Sequence, residues 1–253
     1  RRRNAQEFAR RPQDLIELCA DWRDFKRIRT HREQVATNVR IKLKPREDRP
    51  EPAELSVEAA IIGASRLALA MITTRRLTIR HSAEADAGRE DAALDPATIL
   101  ADWSASKRKA LLERPLFGFA SYGRVRFHHR SVTEYLASER IKQLRAHGMP
   151  LRALRRLIFA HTKGKIIVRP SKRPIAGWLS LTNNMIFETL RDHEPAVLLA
   201  EGDPESLTPS QRNQALLAYA ERFGRGGWRG LNVPHIQVHR FASTELAETI
   251  NPL

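Results

Sequence analysis

Cysteine is almost missing from this sequence: one residue, Cys19, in 253. A single thiol excludes a disulfide framework and any cysteine zinc site, and it fits a reducing compartment. No secretory leader pattern opens the chain. Long hydrophobic runs are also lacking. The most apolar stretch, Val57 to Ile72, is interrupted by Glu58, Ser65 and Arg66, and its length falls short of a bilayer span. Acidic residues are under-represented, with 29 Asp and Glu against 44 Lys and Arg, for a net charge of +15. Only nine of those bases are lysine, an arginine bias that a GC-rich coding sequence produces without any polyanionic ligand. The expectation is a soluble, cytoplasmic protein with no membrane segment. The chain opens Arg1-Arg2-Arg3 without methionine, which reads as a fragment of a longer protein.

Catalytic patterns are absent too. No GxxxxGK[ST] phosphate loop, GxSxG elbow or HExxH zinc motif occurs; Gly164-Lys165 lacks the upstream glycine and is followed by Ile166. His235 and His239 are four apart, but Pro234 argues against a helix there, so they read as ordinary histidines rather than metal ligands. No carboxylate pair stands out as a general acid and base. GRGGWRG, 224–230, is one copy of an arginine–glycine pattern and reads as a loop.

What is present is mostly helical. Charged, proline-bearing stretches at Lys44 to Glu54 and Thr162 to Pro174, the second with a brief apolar insert of strand character, and the polar, small-residue stretch Ser82 to Asp95 read as linkers. They suggest a small helical domain over 1–50, a winged-helix domain over 51–147 and a helical segment over 148–253 that begins an α-solenoid. Pro12 fits the first turn of a helix carrying Leu15, Ile16, Leu18, Cys19 and Trp22. Further helices are expected from Arg32 to Leu43, over the Val57 run, from Asp95-Pro96 through Trp103, and from Ser106 to Glu113. Leu116 to Phe119 and Arg124 to Phe127, separated by Ser121-Tyr122-Gly123, read as a β-hairpin. A helix from Ser131 to Leu144 comes next, then short helices at Pro174 to Leu181, Met185 to Arg191 and Pro195 to Ala200. Thr208 to Gln211 is a capping box, and Phe241 to Ile250 starts one more helix. The fold class is therefore mostly α with a short β-hairpin.

The most specific stretch is Phe127-His128-His129-Arg130-Ser131-Val132-Thr133-Glu134-Tyr135-Leu136-Ala137. It resembles the FxHxSxxEYLAA signature in the winged-helix domain of NACHT-type STAND NTPases, the signal-transducing ATPases of innate immunity and bacterial antiviral defence. The resemblance implies that His129 reaches the bound ADP and holds the resting state closed. Upstream, Ala9 to Leu18 resembles the proline-led helix after the nucleotide-binding core, which implies that Pro12 packs near the adenine; Arg10 stands where the family has glycine. Lys172 to Leu217 resembles the helical segment of bacterial antiviral members. The whole implies a regulatory fragment rather than an enzyme. Its partners would be an N-terminal nucleotide-binding core, a sensed protein ligand and, on activation, further copies of itself; ADP/ATP would be held by the full-length protein.

Histidine suits that role chemically, since it donates a hydrogen bond to phosphate and its protonated form is favoured beside an anion. The competing expectation is a winged-helix nucleic-acid-binding protein, supported by the charge and by Arg124, Arg126, Arg130, Arg140, Lys142 and Arg145. Basic residues spread over every segment, with Glu134 and Glu139 on the helix that would read the bases, count against it. A third possibility is a helical scaffold whose nucleotide core has degenerated.

Overall fold

Helix α1 (His31–Lys42) begins at a capping box in which Thr30 and Glu33 bond each other's backbone, and it buries Val35 and Val39. The computed structural model describes residues 29–46, 48, 50–82, 93–120 and 122–223, with isolated positions 15, 16, 19, 20, 22, 23, 26, 241, 246 and 247. Pro12, His235, His239, the 224–230 loop and most of the expected first and last helices lie outside the described residues. Of the apolar face expected after Pro12, Leu15, Ile16, Cys19 and Trp22 are exposed.

Helix α2 (Val57–Thr74), capped by Ser56, carries the apolar run. At 18 residues and mean hydropathy 1.4 it is long and apolar enough to cross a membrane, and it is the only such helix among the described residues. The expected shortfall in length is thereby corrected, because the helix continues through Thr73 and Thr74. Its small face explains the apolarity without a bilayer: Ala60, Ala64, Leu67 and Ala68 are fully buried, and its principal packing partner is the later helix Arg130–Ala146.

Strand β1 (Thr78–Arg80) and strand β2 (Ala93–Leu94) pair in parallel. They flank the stretch expected to be a loop; at three and two residues they carry no legible alternation. Helix α3 (Pro96–Ile99) is capped by Asp95 as expected but ends at Leu100, so Trp103 is not on it. Helix α4 (Ala105–Leu112) comes after it. Strands β3 (Phe117–Phe119) and β4 (Arg124–Phe127) form the expected hairpin, with Tyr122 and Gly123 both left-handed at its turn. β1 pairs with β4, giving a four-stranded sheet of order β2-β1-β4-β3. From α2 onward the order is one helix, two short strands, two helices and a hairpin whose second strand returns to β1. The fold is mostly α with a small sheet.

Helix α5 (Arg130–Ala146) is central, packing on α1, on α2 and on the later Arg173–Ser180 helix; only Arg130 and Ala146, its first and last residues, are exposed. An unforeseen amphipathic helix, α6 (Leu151–Ile158), leads into strands β5 (Phe159–Thr162) and β6 (Lys165–Val168). Lys163 and Gly164 make their two-residue turn with positive φ at both positions, which is why Gly164-Lys165 is a hairpin corner and not a phosphate loop. Helices α7 (Arg173–Ser180), α8 (Asn184–His193), α9 (Pro195–Ala200) and α10 (Pro209–Phe223) pack on their neighbours, while α7 also packs on α5. At the crossing of α7 with the end of α9, an added Cβ on Gly177 would lie 2.6 Å from the Glu201 carbonyl carbon.

Three segments meet at Arg114, whose side chain is fully buried. Its Nε and Nη2 donate to the two Glu51 oxygens at 2.9 and 2.8 Å, and Nη1 and Nη2 also donate to the carbonyls of Leu43 and Leu55. The proline-rich stretch from Lys44 to Glu54 is thus anchored at its middle and bracketed at both ends.

Candidate functional site

The signature spans the junction between β4 and α5. Phe127 is buried, its ring 4.7 Å from that of Phe117 on the paired strand. Past it the His128 amide donates to Leu116 O at 3.1 Å, closing the strand. His129 stays extended (φ −142°, ψ 142°) and is the N-cap of α5. Its Nδ1 accepts the Ser131 amide hydrogen at 3.2 Å and lies 2.6 Å from Ser131 Oγ. Nδ1 is thereby turned to the first turn of α5, as a side-chain cap requires.

The rest of the signature divides between core and charge. Leu136 and Ala137 are fully buried. Tyr135 meets the ring of buried Trp178 edge-on at 5.4 Å, and burial pushes its hydroxyl pKa up. Glu134 accepts from Arg130 Nε at 2.7 Å, one turn earlier on α5. Burial pushes the Glu134 carboxyl above the usual carboxylate range, against the pull of that hydrogen bond. Glu201, at the end of α9, is pushed the same way by burial first and by the Glu134 charge second, with Arg130 and Arg173 drawing it back. Arg173 in turn bonds Glu194 at 3.1 Å. Two crowded carboxylates and two guanidiniums therefore join the first turn of α5 to the C-terminal helices.

The junction places the His129 imidazole and the Arg130 guanidinium, itself paired with Glu134, at the start of a 17-residue helix. Pro12 is outside the described residues, so of the two expected nucleotide-contacting residues only His129 is placed. No group of three or more His, Cys, Asp or Glu side chains suited to a metal occurs among the described residues. Sequence reasoning missed Arg114 and Glu201, for which no local pattern exists, and the cap made by His129, since N-cap preferences favour Ser, Thr, Asp and Asn. No family model, curated protein or solved structure matches the chain.

Proposed function

We propose that this chain is a regulatory and interaction fragment of a NACHT-type STAND NTPase in antiviral defence signalling, its winged helix holding the ADP-bound resting state. The observation that carries the reading is His129: the signature histidine caps α5 where the hairpin meets the helix. From that place the imidazole reaches an ADP phosphate without moving the helix it caps. In the full-length protein an N-terminal core binds ADP or ATP, and a protein ligand sensed downstream releases the clamp and permits assembly. The fragment itself hydrolyses nothing.

The test is to express the chain together with its upstream coding region and measure the ADP that copurifies. A phosphate-loop motif upstream and faster ADP release in His129→Ala are expected. An upstream region without that motif, or ATP turnover by the 253 residues alone that His129→Ala abolishes, overturns the reading.

A second reading, a winged-helix nucleic-acid binder, draws support from the order of elements and from Lys107, Lys109 and Arg126, exposed on α4 and on the hairpin.

A further inference from the structure

The positive charge is not evenly distributed. Between Glu139 and Glu188 the sequence holds no acidic residue, yet it carries eleven lysines and arginines. The fold divides those eleven into two groups. Five have internal work: Lys142 pairs with Glu139 and Arg173 with Glu194, Arg145 donates to Met149 O, Arg140 is half-buried, and Lys172 is buried against α2. The other six, Arg152, Arg155, Arg156, Lys163, Lys165 and Arg169, are exposed, and none has a carboxylate within salt-bridge distance among the described residues.

These six lie on two elements that adjoin in the chain and are bonded where the hairpin exits. On α6, Arg152 stands three and four residues before Arg155 and Arg156, so all three share a face opposite the fully buried Leu154 and Ile158. Like charges at that spacing oppose one another. The helix dipole accounts for a cation in the last turn but not for Arg152 in the first. The β5–β6 hairpin continues from the helix, and its exit is held against the helix end, with the Arg169 amide on Ile158 O at 2.9 Å and Arg169 Nε on Arg156 O at 3.3 Å. Lys163 and Lys165 stand at the hairpin turn. The array extends along about 6 Å of helix and about 13 Å of hairpin. Nothing in the packing requires this run of cations without acids, and its charge is complementary to a polyanion.

We propose that the exposed face of α6 and the β5–β6 hairpin is a sequence-independent docking surface for the phosphate backbone of duplex nucleic acid. Four of the six cations are arginines, whose fork fits phosphate. The three aromatics of the acid-free segment, Phe159, Trp178 and Phe187, are all buried, so no platform exists to stack single-stranded bases. Only Leu151 and Ile167 are exposed large apolar residues here, at 41% and 37%, too little to insert into a lipid interface. The site is separate from the His129 junction and stands whether or not the nucleotide-clamp reading does.

The test is fluorescence anisotropy of the full chain with a labelled duplex of about 25 base pairs across a salt series. Six phosphate contacts give a slope of log K against log salt near −5. Arg152→Gln/Arg155→Gln/Arg156→Gln and Lys163→Gln/Lys165→Gln/Arg169→Gln should each flatten it by about 3, while Lys107→Gln/Lys109→Gln/Arg126→Gln, removing the same charge from α4 and the winged-helix hairpin, should leave it unchanged. Where a triple variant loses its unfolding midpoint, Arg155→Gln and Lys165→Gln singly should each flatten the slope by about 1. An equal loss in the α4 and hairpin variant overturns the proposal, as does a wild-type slope shallower than about −2. Tighter binding to phosphatidylserine vesicles or polyglutamate than to duplex also overturns it.

Discussion

Replacing Arg114 by alanine probes the buried junction most directly. The guanidinium has no exposure, while the Glu51 side chain it holds is 16% exposed. Deletion leaves that carboxylate without its fork and strands the carbonyls of Leu43 and Leu55. Breaking a buried pair by removing one partner costs about 3–5 kcal/mol, and the slight exposure of Glu51 places this case near the lower figure. Against a total stability of about 5–15 kcal/mol the loss is large. In urea it should move the midpoint down by about 1–3 M with little change in slope. Lysine keeps one charge but cannot serve both Glu51 oxygens and two carbonyls, so Arg114→Lys should cost about 2 kcal/mol. Removing both partners, Arg114→Met with Glu51→Leu, leaves no stranded charge and should cost clearly less than the two single changes together. A cost for Arg114→Ala below about 1 kcal/mol, or single costs that add within about 0.5 kcal/mol, would show that the fork does not hold the three segments together.

His129→Ala should lose about 0.5–2 kcal/mol through the missing cap while His129→Asn retains most of it, read from thermal unfolding; equal losses would show that Nδ1 does not cap the helix. Glu134 and Glu201 bind a proton more tightly folded than unfolded, so they favour the fold at low pH and that contribution fades as pH rises through their raised range. Glu201→Gln should therefore gain on wild type between about pH 4 and pH 7; a difference in melting temperature independent of pH would exclude the crowding of the two carboxylates. Gly177→Ala drives a methyl into the Glu201 backbone and should cost about 1–3 kcal/mol or more in denaturant titration, with an unchanged midpoint refuting the close crossing.

Most helices are legible in the sequence because their signals are local. The Asp95 and Thr208 caps and the Val57 run act within one or two turns, and the structure starts or centres helices on them. The β3–β4 hairpin is legible from its glycine turn and alternation. β1 and β2 are not, because two or three residues cannot display a period and their pairing partners lie elsewhere in the chain. At the site, the placement of His129 between strand and helix follows from the change of period around it. Its capping bond does not, since that depends on which backbone hydrogen the ring meets. The basic surface on α6 does not show in where arginines occur, because they occur everywhere; the spacing of acids, which is what leaves those six unneutralised, holds the signal.

Helix α2 has no basic residue in its own last turn; its final carbonyls are met instead by buried Lys172, whose Nζ donates to Ile72 O at 2.6 Å across 100 residues of sequence. During synthesis the most apolar helix of the protein therefore emerges well before both the helix that covers its small face and the lysine that finishes its end. At about 5–20 residues per second that wait lasts about 5–20 s. The nascent chain spends this interval displaying a segment long and apolar enough to pass for a membrane span, so its biogenesis should depend on a chaperone that shields α2 until residue 172 has left the ribosome.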